Sequence, residues 1–187
     1  MSLQNIKLNT ALPGTKKAIL QFFIRLSVLF TVWFFVYALF LGPARVIDKP
    51  VTNIITIAVV KCINFLSPST QPISWMTDTT MNGRNFLVQQ NSQVFGIWDV
   101  CNGVDLMFIY ISVLVLLPYP AKRKIIFSIG GILAIILGNI IRVCALYFIY
   151  VYQKSVFDFS HHYLFTILMY VLIFYGWLLF IKKKKAI

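Results

Sequence analysis

Acidic side chains are scarce. There is no glutamate, and the five carboxylates are Asp48, Asp78, Asp99, Asp105 and Asp158. Against 17 Lys and Arg they leave a net charge of +12. Such a surplus can mark a nucleic-acid binder. Here the basic residues sit beside apolar runs, as the positive-inside rule has it, so nucleic acid is set aside as a partner. Cysteine is scarce too: Cys62, Cys101 and Cys144 make an odd count with no CxxC, so neither a disulfide framework nor a zinc site follows. The two histidines, His161 and His162, find no converging ligands beyond Cys101 and Asp105. No metal and no cofactor is expected. No internal repeat, low-complexity linker or cleavable signal sequence is evident, which points to one domain, 1–187.

Apolar residues are abundant. The chain is 59% hydrophobic with a mean hydropathy of +0.82, more than a soluble core of this size can hide. The expectation is an all-α polytopic membrane protein embedded in a lipid bilayer. Four segments are long enough to span: about 19–41, 101–119, 125–150 and 162–181. A fifth, about 47–66, carries Lys61, Asn53, Thr56 and Asn64 and reads as interfacial or re-entrant. The basic clusters at Lys16–Lys17, at 121–124 and at 182–185 all fall on the cytoplasmic side if 47–66 does not cross. The outer loop, about 69–98, holds an Asn82-Gly83 turn flanked by strand-like runs, so a small extracytoplasmic β-meander is expected there. It could bind an extended peptide by strand addition or serve only as loop packing.

Three polar residues reach one height above the cytoplasmic charges. Cys101 stands 21 residues before Lys122, Arg142 stands 18 after Lys124, and His162 stands 20 before Lys182. At the rise of a helix these separations are roughly 31, 27 and 30 Å, close to the hydrocarbon thickness. Gly130, Ala134, Gly138 and Arg142 recur every four residues, a small-residue stripe that should turn Arg142 toward the bundle, with Asn139 on nearly the same side. Arg142 is either functional or structural, in the second case snorkelling outward or pairing with Asp105. Asp105 lies one turn below Cys101, and an Asp105–Arg142 pair is expected.

Cys62 and Cys144 lie in apolar segments and read as small hydrophobes. Cys101 has a polar approach and a helix N-terminus, which favours a thiolate. Asn102 and Gly103 follow it and should leave backbone N–H groups free for an oxyanion. One histidine, at the outer entrance of the last span, is the candidate acid/base.

The order "CNG", then "GNIIR", then a histidine opening the last span resembles the exosortase/archaeosortase family of membrane cysteine proteases, over about 79–181. The short chain most resembles the exosortase F subfamily and is shorter than the typical eight-span member. The resemblance implies a cysteine transpeptidase or protease in the bacterial cytoplasmic membrane with its site facing the periplasm. Its partners would be exported proteins bearing a C-terminal sorting tag, with a surface glycan or lipid as acceptor. The catalytic core would be about 99–181, with Cys101 as nucleophile, Arg142 as electrostatic stabiliser and His162, preferred to His161, as acid/base. Thr166 stands where the family pattern would place a glycine, so the choice between the histidines stays open. A tag helix would lie in a slot along Gly130–Gly138. The rival readings are a non-enzymatic assembly or channel subunit with a structural Asp105–Arg142 pair, and an intramembrane thiol or lipid-modifying enzyme.

Overall fold

A computed structural model describes residues 13–68, 72–77 and 84–182. The Asn82-Gly83 turn lies outside the described residues. In chain order the elements are α1 (Pro13–Val36), a π turn (Tyr37–Leu41), α2 (Gly42–Ala44), α3 (Asp48–Leu66), β1 (Ser74–Thr77), β2 (Arg84–Gln89) and β3 (Ser92–Trp98). A 3-10 turn (Asp99–Cys101), α4 (Val104–Leu116) and α5 (Ala121–Tyr152) follow. Lys154–Val156, α6 (Phe157–Phe159), a π turn (Ser160–Leu164) and α7 (Phe165–Ile181) complete the order. The protein is an all-α polytopic membrane protein with a small antiparallel sheet. Among the described residues four helical stretches are long and apolar enough to cross a membrane: Lys16–Ala44, Asp48–Leu66, Ala121–Tyr152 and Lys154–Ile181.

Two segments differ in detail from the sequence reading. The 101–119 span contracts to the 13-residue α4, because Cys101–Gly103 form a turn rather than its first helical residues. α3, expected to be interfacial or re-entrant, has the length and composition to cross. Its polar residues are nonetheless bonded along its length to the sheet and the turn that follows. Thr52 donates to Asp99, Asn85 donates to Asn53 and Thr56, and Asn64 brackets both the N–H and the carbonyl of Ile73. Lys61 is exposed; Asn53, Thr56 and Asn64 are the other polar positions that make the segment look amphipathic. They face the sheet, while Ile55, Val59 and Ile63 enter one core with Leu87, Ile97, Val143 and Tyr147.

The sheet has the order β1-β2-β3, with Trp75 opposite Leu87 and Leu87 opposite Phe95. Gln90 and Asn91 join β2 to β3, both with positive φ (53° and 61°), as a two-residue type I′ hairpin requires. A bulge between Leu87 and Val88 shifts the register.

A second core joins α4, α5 and α7 through Tyr110, Leu114, Ile135, Met169, Ile173 and Phe180. The Tyr110 ring wedges between Gly131 and Gly176, and its hydroxyl donates to the Phe127 carbonyl. A Cβ at Gly131 would overlap that ring, whereas one at Gly130 meets nothing within 4 Å. Small residues thus admit a side chain as well as a neighbouring helix. Gly131→Ala is therefore expected to destabilise by about 1–3 kcal/mol, the usual cost of overpacking, and Gly130→Ala to be near neutral. Unfolding of both variants in detergent, followed by tryptophan fluorescence, checks the contrast.

Candidate active site

β3 delivers the chain to Cys101, and the next two residues fix where the thiol stands. Gly103 has φ +81°, a left-handed conformation that favours glycine, and an added Cβ would press on Asn139 and Ile135. Asn102 is only 2% exposed. Its amide Nδ2 donates to Asp48 Oδ1 (2.9 Å) and Thr52 Oγ1 (3.2 Å), and its Oδ1 accepts from the Val104 N–H. Asn102 is thus the clamp that starts α4 and ties it to α3. Asn139 from α5 donates to the Cys101 carbonyl at 2.6 Å. The Cys-Asn-Gly run and the asparagine three residues before Arg142 therefore brace one backbone turn. The Asn102 N–H, expected to be free for an oxyanion, is taken by the Asp99 carbonyl (3.0 Å), and that of Val104 by Asn102. Of the three amides at 102–104, Gly103's alone has no internal acceptor among the described residues.

A polar clasp missed in the sequence supports that turn. Asp99 accepts from Arg45 Nε at 2.6 Å, from Arg45 Nη2 at 3.0 Å and from Thr52 Oγ1 at 2.7 Å, while Tyr37 donates to Asp48. Arg45–Asp99 is the ion pair among the described residues. The expected Asp105–Arg142 pair does not form, although both residues line a 250 Å³ pocket with Thr166 and Tyr170. Asp105 is exposed at the start of α4, whereas the Arg142 Nε is buried with no hydrogen-bond partner.

The histidines diverge. His161 Nε2 lies 3.8 Å from Cys101 Sγ, and its ring stacks on Phe157 (5.7 Å between centroids, 8° between planes). His162 is exposed, and its Nδ1 lies 3.0 Å from the Asp158 carbonyl. The structure therefore brings His161, and not His162, to the thiol. Cys101, Arg142 and His161 line one cavity of about 460 Å³, together with Arg84, Trp98 and residues of β3. The cavity has two guanidinium groups and no carboxylate in its wall. Cys144 is buried in the α3–α5 core with Cys62 packed against it, away from this wall. Among the described residues no cluster of metal-ligating side chains occurs.

Burial pushes the Cys101 thiol above its ordinary pKa, and the Arg142 guanidinium pulls it back in part. The helix start does not make a resting thiolate here. Alkylation of Cys101 by a small iodoacetamide should therefore rise with pH through a midpoint above the usual thiol value of about 8.5. Removing the cation disfavours the thiolate, so Arg142→Gln should move that midpoint higher still. Rate–pH profiles of both proteins check the sign.

A thiol, an imidazole and a guanidinium from three separate segments of a helical membrane protein share one cavity wall, which defines a membrane protein with a cysteine–histidine–arginine site. The chain belongs to the transmembrane exosortase family, which it matches over residues 6–182. No curated protein and no solved structure matches it.

Proposed function

We propose that this protein is a membrane-embedded cysteine transpeptidase or protease that cleaves C-terminal sorting signals of exported proteins at the outer face of the bacterial cytoplasmic membrane. Within its family it stands with the short F-type members. The observation that carries the reading is the 3.8 Å approach of Cys101 Sγ to His161 Nε2 on the cavity wall that also holds Arg142. Because the resting thiol is protonated, His161 takes its proton as sulfur attacks the scissile carbonyl. An S–C bond forms and the carbonyl oxygen becomes an oxyanion, which Arg142 and the Gly103 N–H stabilise. His161 then protonates the leaving amine as the C–N bond breaks, giving a Cys101 thioester. Water, or a nucleophile on a surface glycan or lipid, resolves it, with His161 as base. His161 takes the acid/base role in preference to His162 because only His161 is within reach of the sulfur.

Gly130 and Ala134 line an apolar cavity of about 450 Å³ with Tyr175 and Leu179, which supports this part of the face as the seat of a tag helix; Gly138, expected in the same slot, packs instead against Leu172 and Met169 of α7. The Asp105–Arg142 pair named in the rival reading, a non-enzymatic subunit, does not form among the described residues.

The test is co-expression with a secreted reporter. Its tail would carry a randomised eight-residue segment, an apolar helix and four lysines, and cells would be screened for release. Cleaved reporters should yield a hydroxylamine-sensitive adduct on Cys101, detected by mass spectrometry. Release that proceeds equally well in Cys101→Ala would refute the proposal.

A further inference from the structure

We propose that the exported chain binds as an added parallel strand on the free edge of β3, which carries it to Cys101. This rests on the transpeptidase reading. Three observations support it.

The first is the shape of the cavity. Its wall includes Val94, Phe95, Gly96, Ile97 and Trp98 in unbroken succession, then Val100 and Cys101. Successive side chains of a strand point to opposite faces. A cavity that touches five in a row wraps round the strand's edge. Arg84 and Phe86 of β2 line it too, so it covers the face that carries Val94, Gly96 and Trp98; β2 occupies one edge of β3, and it is round the other edge that the cavity reaches Phe95 and Ile97.

The second is that the strand itself carries no guard residue, while α5 and α6 face it across the cavity and touch it through Phe95. Sheet proteins blunt an open edge with charge, proline or a covering element. Val94–Trp98 contains no charge and no proline. A peptide laid there meets alternate unpaired N–H and C=O groups over roughly 16 Å.

The third is direction. β3 runs into Cys101, and three residues later α4 begins. A sorting tail has the same layout: an extended segment followed by an apolar helix. Parallel to β3, its extended segment pairs with 94–98, its scissile carbonyl comes to Cys101, and its helix starts beside α4. Recognition ahead of the cut is then mainly through the main chain. Arg84 of β2, opposite Trp98 and stacked over its ring at 3.2 Å, puts a cation on the sheet face at the same end of β3.

The probe is a synthetic peptide copying the tail of a reporter that the protein cleaves, offered to the full-length protein in nanodiscs. Single N-methyl groups are walked through the four residues before the scissile bond. Strand pairing uses every second residue of the added chain. Methylation should raise KM about tenfold or more at alternate positions and leave the positions between them little changed. The N-methyl-free peptide should also slow amide exchange across Val94–Trp98 in Cys101→Ala. A flat N-methyl profile with unchanged exchange overturns the strand addition while leaving the transpeptidase reading intact. If no reporter is cleaved in a Cys101-dependent way, that reading falls and this inference falls with it.

Discussion

His161→Ala should lower reporter cleavage by about 10²–10⁴-fold, the range set by loss of a general acid–base. His162→Ala should stay within about twofold, as exposed substitutions usually do. The two residues are chemically identical neighbours, so their contrast isolates position. His161 Nε2 faces the sulfur at 3.8 Å, and its ring is held flat against Phe157. His162 faces the Asp158 carbonyl on the exposed side. Phe157→Leu would loosen the stack without touching the thiol, so a smaller loss with no change in KM is consistent with positioning. Equal losses at 161 and 162, with both proteins at normal abundance, would contradict the assignment.

That Cys101, Arg142 and a histidine come together was legible from their separations along the chain, although the 13-residue α4 is shorter than a continuous helix from Cys101 to Lys122 would be. Counting from Lys122, Lys124 and Lys182 placed Cys101, Arg142 and the histidine pair in one layer. Azimuth was not legible in the same way. Ser160–Leu164 form a π turn, whose wider winding rotates successive side chains differently from an α-helix. The preference for His162 rests on its offset to the glycine position of the family pattern, and a motif offset carries no information on which neighbour the π turn faces toward Cys101. The small-residue stripe was legible as a packing face, yet the residue that receives Tyr110 is Gly131, one place off the stripe. The clasp around Asp99 was hidden because its partners, Arg45 and Thr52, lie 54 and 47 residues away in sequence. A usable signal existed in Asp48, Thr52 and Thr56, spaced by four on one face of α3. Asn102 and Asn139 were identified for their place in a motif. Their work, fixing the backbone on either side of the thiol, needed the fold to be seen.

Arg142→Lys should reduce the catalytic rate by about 10²–10³-fold, the scale of losing an oxyanion donor, although the charge is kept. Lysine offers a compact ammonium in place of a planar fork, so it cannot reach Cys101 and the cavity with the same geometry. The resting state explains why the effect should fall on rate rather than on binding. The Arg142 Nε is buried with no acceptor, and no carboxylate pairs with the guanidinium. An unsatisfied buried donor costs about 1–3 kcal/mol. That cost is relieved when an oxyanion develops beside Cys101, and a neutral ground-state carbonyl relieves less of it. Stabilisation that grows toward the transition state appears in kcat. Arg142 also lines the pocket shared with Asp105, Thr166 and Tyr170, so it stands between two cavities rather than against lipid. A snorkelling arginine would tolerate lysine, since both reach headgroups equally well. Steady-state cleavage of the reporter peptide by Arg142→Lys therefore separates the roles: a fall in kcat at constant KM marks transition-state stabilisation, and wild-type kcat would reduce Arg142 to an anchor.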